Sequence, residues 1–123
     1  MKFAAFFALL VSSISFAAKI DSKECQDRLE SKRLQMNAIS LNIVNINTTR
    51  TPEGGPYNKK ELLCKNENCK IVARAKFLTK YLPDHPDADD SGYVKFPNIK
   101  IEEEMSAMLT ASRDYEKIVE DCK

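Results

Sequence analysis

The sequence has no excess of charge of either sign, a single histidine, no internal repeat and no low-complexity tract. Lysine and arginine number 19 against 18 aspartates and glutamates, a net charge of +1 at pH 7. Nucleic-acid binding would need a strong basic patch, and the only dense cluster is Lys59-Lys60. The lone histidine, His85, sits between Asp84 and Pro86, and no cysteine, serine or acid stands with it in a nucleophile motif. It reads as a solvated or turn-capping residue. Asp87-Ala88-Asp89-Asp90-Ser91-Gly92 opens like an EF-hand loop, but Lys95, Pro97 and Asn98 stand where ligands and an exit helix belong. The segment reads as a turn. The chain shows no persuasive active site and implies no metal or cofactor, so it is not read as an enzyme.

A long hydrophobic run is also missing. Phe3 to Ile14 is apolar but too short for a comfortable span of about 20 residues. With Met1-Lys2 before it and Ser15-Phe16-Ala17 after it, residues 1–17 read as a cleaved signal peptide. The competing reading is an uncleaved membrane anchor. Cleavage leaves residues 18–123 as one small domain in the periplasm or outside the cell, without a membrane span. Losing Lys2 balances 18 basic against 18 acidic residues.

What is present is a pair of heptad stripes. The first is Cys25, Leu29, Lys32, Met36, Ile39, Ile43, Ile46, and the second is Ile101, Met105, Met108, Ser112, Tyr115, Val119, Cys122. Laid antiparallel they match 25 with 122, 29 with 119, 39 with 108 and 46 with 101. Four cysteines in a small exported chain point to two disulfides, for which three pairings exist. The helical register favours Cys25–Cys122 with Cys64–Cys69. The outer bond closes nearly the whole chain, worth about 4–5 kcal/mol in the chain-entropy model. Zinc is the competing use, but Cys64 and Cys69 lack a local partner pair.

The first helix should span 21–46, with Asp21 and Glu24 as a capping box and Ile20 stapled on Cys25. A second apolar row, Leu34, Ala38 and Leu41, is covered either by the middle segment or by a neighbouring subunit. Thr51 to Pro56 is a turn. Residues 57–96 form a β-rich insert, with a hairpin of 61–64 and 69–80, and with 92–96 a short strand at most. The second helix should span 99–122, its first turn acidic at Glu102, Glu103 and Glu104. Asn47-Thr48-Thr49 fits a glycosylation acceptor, though its place at a helix end explains it without sugar. The fold class is α+β: an antiparallel pair of long terminal helices with a small β-hairpin insert at the end away from Cys25, disulfide-stapled.

Two segments carry more than composition. Arg33 through Tyr57, ending Thr49-Arg50-Thr51-Pro52-Glu53-Gly54-Gly55-Pro56-Tyr57, resembles the N-terminal signature of bacterial flagellar rod and hook proteins, in its proximal-rod form. His85-Pro86-Asp87-Ala88-Asp89, Gly92 through Asn98, Glu103-Glu104-Met105 and Ala111 through Glu116 resemble that family's C-terminal signature. Together they cover about half of the mature chain. The resemblance implies a non-enzymatic structural role at the flagellar basal body, with the terminal helices packing on each other and on neighbouring subunits. The partners would then be basal-body components or further copies of the chain. The packing seam would be Leu29, Met36, Ile39, Ile43 and Ile46 against Ile101, Met105, Met108, Tyr115 and Val119. Leu34, Leu41, Val44, Leu109 and Ile118 become candidates for lateral packing. Against the family pattern, this chain is expected to carry a Sec-type leader, four cysteines and a shorter C-terminal helix. The second functional reading is therefore a monomeric periplasmic protein-binding module on a repurposed rod-protein fold.

Overall fold

The computed structural model describes residues 21–123, so the signal-peptide segment and the Ile20 staple lie outside the described residues. The elements run α1 (Ser22–Val44), β1 (Lys59–Lys65), β2 (Asn68–Arg74), β3 (Phe77–Tyr81), β4 (Tyr93–Pro97) and α2 (Ile101–Asp121). This is an α+β arrangement of two terminal helices and two small antiparallel sheets.

Helix α1 is about 35 Å long at 1.5 Å per residue. Asp21 holds the N-cap position, but its side chain makes no capping bond. The expected capping box therefore does not form. At the other end Asn45 takes over, its side-chain amide donating to Leu41 O at 2.8 Å. That local bond competes with continuation of the helix, which stops at Val44 and not at Ile46. The chain then turns through Thr51 to Gly55, where Thr51 N donates to Gly55 O at 2.9 Å. Gly54 and Gly55 both have positive φ (87° and 74°), which explains the glycine pair. Tyr57 N returns to Thr48 O at 3.1 Å and closes the loop.

The insert departs from a single hairpin. β1 and β2 pair antiparallel with Cys64 opposite Cys69, around a tight turn at Asn66, whose φ is 57°. The strand expected to continue to Lys80 ends at Arg74, and β3 pairs instead with β4, Tyr81 opposite Tyr93 and Phe77 opposite Pro97. Apolar alternation runs through both strands and does not mark where the partner changes. The position differs too. The β1–β2 hairpin is rooted at the far end, where Lys60 meets Asn42, but folds back along α1 until the Ser31 hydroxyl reaches Cys69 Sγ at 3.3 Å. Its tip therefore lies towards the Cys25 end, because the hairpin packs along the helix and does not extend it.

Beneath β3–β4 a second small core forms from Val94, Phe96 and Ile99, all buried. Gly92 makes the tight entry into β4: its φ is 86°, and a Cβ there would stand 2.8 Å from the Tyr81 ring. Helix α2 starts without a side-chain cap and runs to Asp121.

Candidate assembly surface on the helix pair

The two helices are tied together in antiparallel register along their length. Cys25 and Cys122 are bonded at one end, with Cα atoms 6.0 Å apart. Lys32 Nζ then reaches Asp114 at 3.1 Å, Arg33 the Tyr115 hydroxyl at 2.9 Å, and the Ser112 hydroxyl Met36 Sδ at 3.7 Å. Asn42 meets Glu104 at 3.2 Å near the other end.

The face that α2 buries is rotated from the expected stripe. Glu104, Ala111 and Ile118 are buried, while Met105 is 60% exposed. Met108, Tyr115 and Val119 are half-buried at the margin, as are Ile101 and Cys122. On α1, Cys25, Ala38, Ile39 and Asn42 are buried, and Leu29, Met36 and Ile43 are half-buried, as is Ile46 in the turn beyond its end. The reason is a third layer. The β1–β2 hairpin covers the face of α1 that carries Ser31 and Asn42, which draws the packing towards it. Leu29, Met36 and Ile43 lie by helical spacing on the other side of the seam, where the Ser112 hydroxyl meets Met36 and Met105 stays exposed. Met105 therefore leaves the seam.

Placement of the lateral candidates divides them. Val44 is 76% and Leu109 54% exposed, on the outside of the pair. Leu34 and Leu41 are half-buried at the edge of the hairpin-covered face, with Ala38 buried between them. Ile118 is buried and belongs to the intramolecular seam, so it cannot also serve as an outer contact.

At the far end lies a buried polar cluster that sequence periodicity did not find. Asn42 is almost wholly inaccessible. Its amide donates to Lys60 O (2.8 Å) and to Glu104 (3.2 Å), and its oxygen accepts from Lys60 N (2.8 Å) and the Tyr57 hydroxyl (3.0 Å). Every polar atom of the amide is used. Glu104, also buried, pairs with Lys59 Nζ at 3.1 Å. Burial, and then the neighbouring Glu104 charge, push the Tyr57 hydroxyl above its usual pKa. The signal that could have revealed the cluster is a polar residue at each helix's core-facing position, since Asn42 and Glu104 both interrupt apolar neighbours.

The two signature segments meet a little further on. The Thr49 hydroxyl donates to Asp87 at 2.6 Å, and Arg50 pairs with the same carboxylate. The Thr49 hydrogen bond, with Arg50 beside it, holds Asp87 below the usual carboxylate range. His85 Nδ1 accepts from Asp87 N at 3.0 Å, and Asp89 accepts from Ser91 N and Tyr93 N, both at 2.9 Å. These carboxylates are engaged in building the loop, the work of a turn segment.

No family model matches the chain. Comparison with curated proteins gives flagellar basal-body rod protein FlgC from several bacteria. The FlgC of Borreliella burgdorferi is 32% identical over 117 aligned residues, covering 72% of this chain and 77% of that protein. That of Salmonella typhimurium is 31% identical over 103 residues, covering 74% and 75%. That of Agrobacterium fabrum is 32% identical over 108 residues, covering 77% and 78%.

Proposed function

The chain belongs to the FlgC family of flagellar basal-body rod proteins as a divergent member, and we propose that it is a structural component of the basal body that works by helix packing and not by catalysis. The relatives named above are basal-body rod proteins. The observation that carries the packing mechanism is the asymmetry of the helix pair. One side is covered by the β1–β2 hairpin; the other presents half-buried Leu29, Met36 and Ile43, with exposed Met105 beside them. Val44 and Leu109 extend the apolar surface around the outside. Leader cleavage after Ala17 would place residues 18–123 in the periplasm as one rod-protein-like domain, and basal-body subunits or further copies of the chain would supply the missing layer.

A second reading has its own support. The Cys25–Cys122 bond closes the helix pair within one subunit. Rod subunits gain stability from polymerisation, whereas a covalently closed pair needs no neighbour to stay together. A monomeric periplasmic module that binds another protein through the same open side would look like this.

Purification of basal bodies from cells carrying a tagged copy separates the two. The assembly reading expects the tagged protein to co-purify with them and to localise at the flagellar base. A protein absent from basal bodies, and monomeric at high concentration, would replace that reading with the binding module.

A further inference from the structure

We propose that Cys64–Cys69 is a thiol–disulfide exchange site, attacked at Cys64 by the thiolate of a dithiol reductant, with Cys69 as the leaving group held by Ser31. The two disulfides differ in exposure at one of their two sulfurs and in span. Cys25 is buried and bonded to a half-buried Cys122 at the end of α2, across 97 residues of chain. Cys64 is exposed near the tip of a two-stranded hairpin, directly opposite a half-buried Cys69 only five residues away. Exposed disulfides are the ones that exchange.

The surroundings give the reaction a direction. The Ser31 hydroxyl donates to Cys69 Sγ at 3.3 Å, from α1 beneath the hairpin. Cys69 also lines a groove between the two helices and the hairpin tip. Acidic residues there, such as Asp27, Glu67 and Asp121, outnumber basic ones such as Arg28 and Lys117, so the Ser31 hydroxyl and not the groove's charge singles out Cys69. Lys32 lies in the same groove, already paired with Asp114. A hydroxyl aimed at a sulfur stabilises negative charge there, so the sulfur that accumulates charge is Cys69. The exposed partner receives the nucleophile.

In the exchange, the reductant thiolate forms a bond to Cys64 Sγ as the Cys64–Cys69 bond breaks. The electron pair leaves on Cys69 Sγ, which then takes up a proton. The second thiol of the reductant attacks its own bridging sulfur and releases Cys64 as a thiolate, which is protonated in turn. The dithiol is oxidised to a disulfide, and the clip is reduced to two thiols. This goes beyond the assembly reading and stands whether or not the chain enters a rod.

The test uses the full mature chain, graded reduced glutathione, an alkylating quench and non-reducing peptide mass mapping. At partial reduction the glutathione adduct should lie on Cys64 over Cys69 by about tenfold, with Cys25–Cys122 still closed. An adduct mainly on Cys69, or opening of Cys25–Cys122 first or at the same rate, would overturn the proposal. Ser31→Ala should slow adduct formation several-fold without changing the rate at Cys25–Cys122, and Ser31→Thr should restore it. No slowing, or an equal change at both bonds, would remove Ser31 from its leaving-group role.

Discussion

The two ends of the helix pair are held by different physics. At one end Cys25 and Cys122 are joined covalently, and the bond acts chiefly by restricting the unfolded chain. At the other, Asn42, Glu104, Lys59 and Tyr57 are joined by hydrogen bonds and a buried ion pair. That second end acts in the folded state, where each group was taken out of water and must find its partner. The contrast teaches that one register can be specified twice. The staple tolerates changes around it as long as both sulfurs remain, whereas the polar cluster fails when any single member is removed.

The comparison can be broken from either end. Replacing Cys25 and Cys122 together with serine should cost about 4–5 kcal/mol in denaturant unfolding, the largest effect in the molecule. Glu104→Ala leaves the Lys59 ammonium without its partner and takes away one acceptor from the Asn42 amide, and should cost about 3–5 kcal/mol by the same measurement. Glu104→Gln keeps an acceptor for Asn42 and should fall clearly below that. Both variants lose the ion pair to Lys59, so equal costs would mean that the hydrogen bond to Asn42 contributes nothing. Replacing Cys64 and Cys69 with serine releases a far shorter loop and should cost about 2 kcal/mol. Gly92→Ala introduces a Cβ 2.8 Å from the Tyr81 ring at a φ of 86°, and should lower the melting temperature by an amount equivalent to about 1–3 kcal/mol.

The smallest expected effects are those of pH. Asp87 binds its proton less tightly in the folded chain than in the unfolded one, so its contribution is present above its ordinary value of 3.8 and is lost as pH falls below it. Asp87→Asn should flatten that acid limb of the stability profile. Tyr57 has the opposite sense. Its hydroxyl holds its proton more tightly when folded, so the contribution is complete below 10.0 and is lost as pH rises through the higher folded value. Tyr57→Phe should remove that alkaline limb, and stability measured from pH 9 to 11 would read it.

Much of this architecture was legible in the sequence because its signals are periodic or punctuated. Heptad spacing marks both helices, and their register favours joining the outer cysteines. The glycine pair Gly54-Gly55 marked its turn. Three features escaped. The change of partner between β2 and β3 leaves no mark, because apolar alternation describes a strand and not which strand it pairs with. The rotation that exposes Met105 and buries Ile118 is set by the hairpin folding back along α1, a tertiary choice that no single-helix pattern contains. The cluster at Asn42 and Glu104 escaped because a periodicity search counts polar residues as solvent-facing, and here they satisfy one another inside.

The register of the helix pair rests most directly on which cysteines are joined. Peptide mapping of the unreduced mature protein should recover the Cys25 peptide linked to the Cys122 peptide, with Cys64 linked to Cys69. A Cys25–Cys64 linkage would contradict the antiparallel pair and the account built on it.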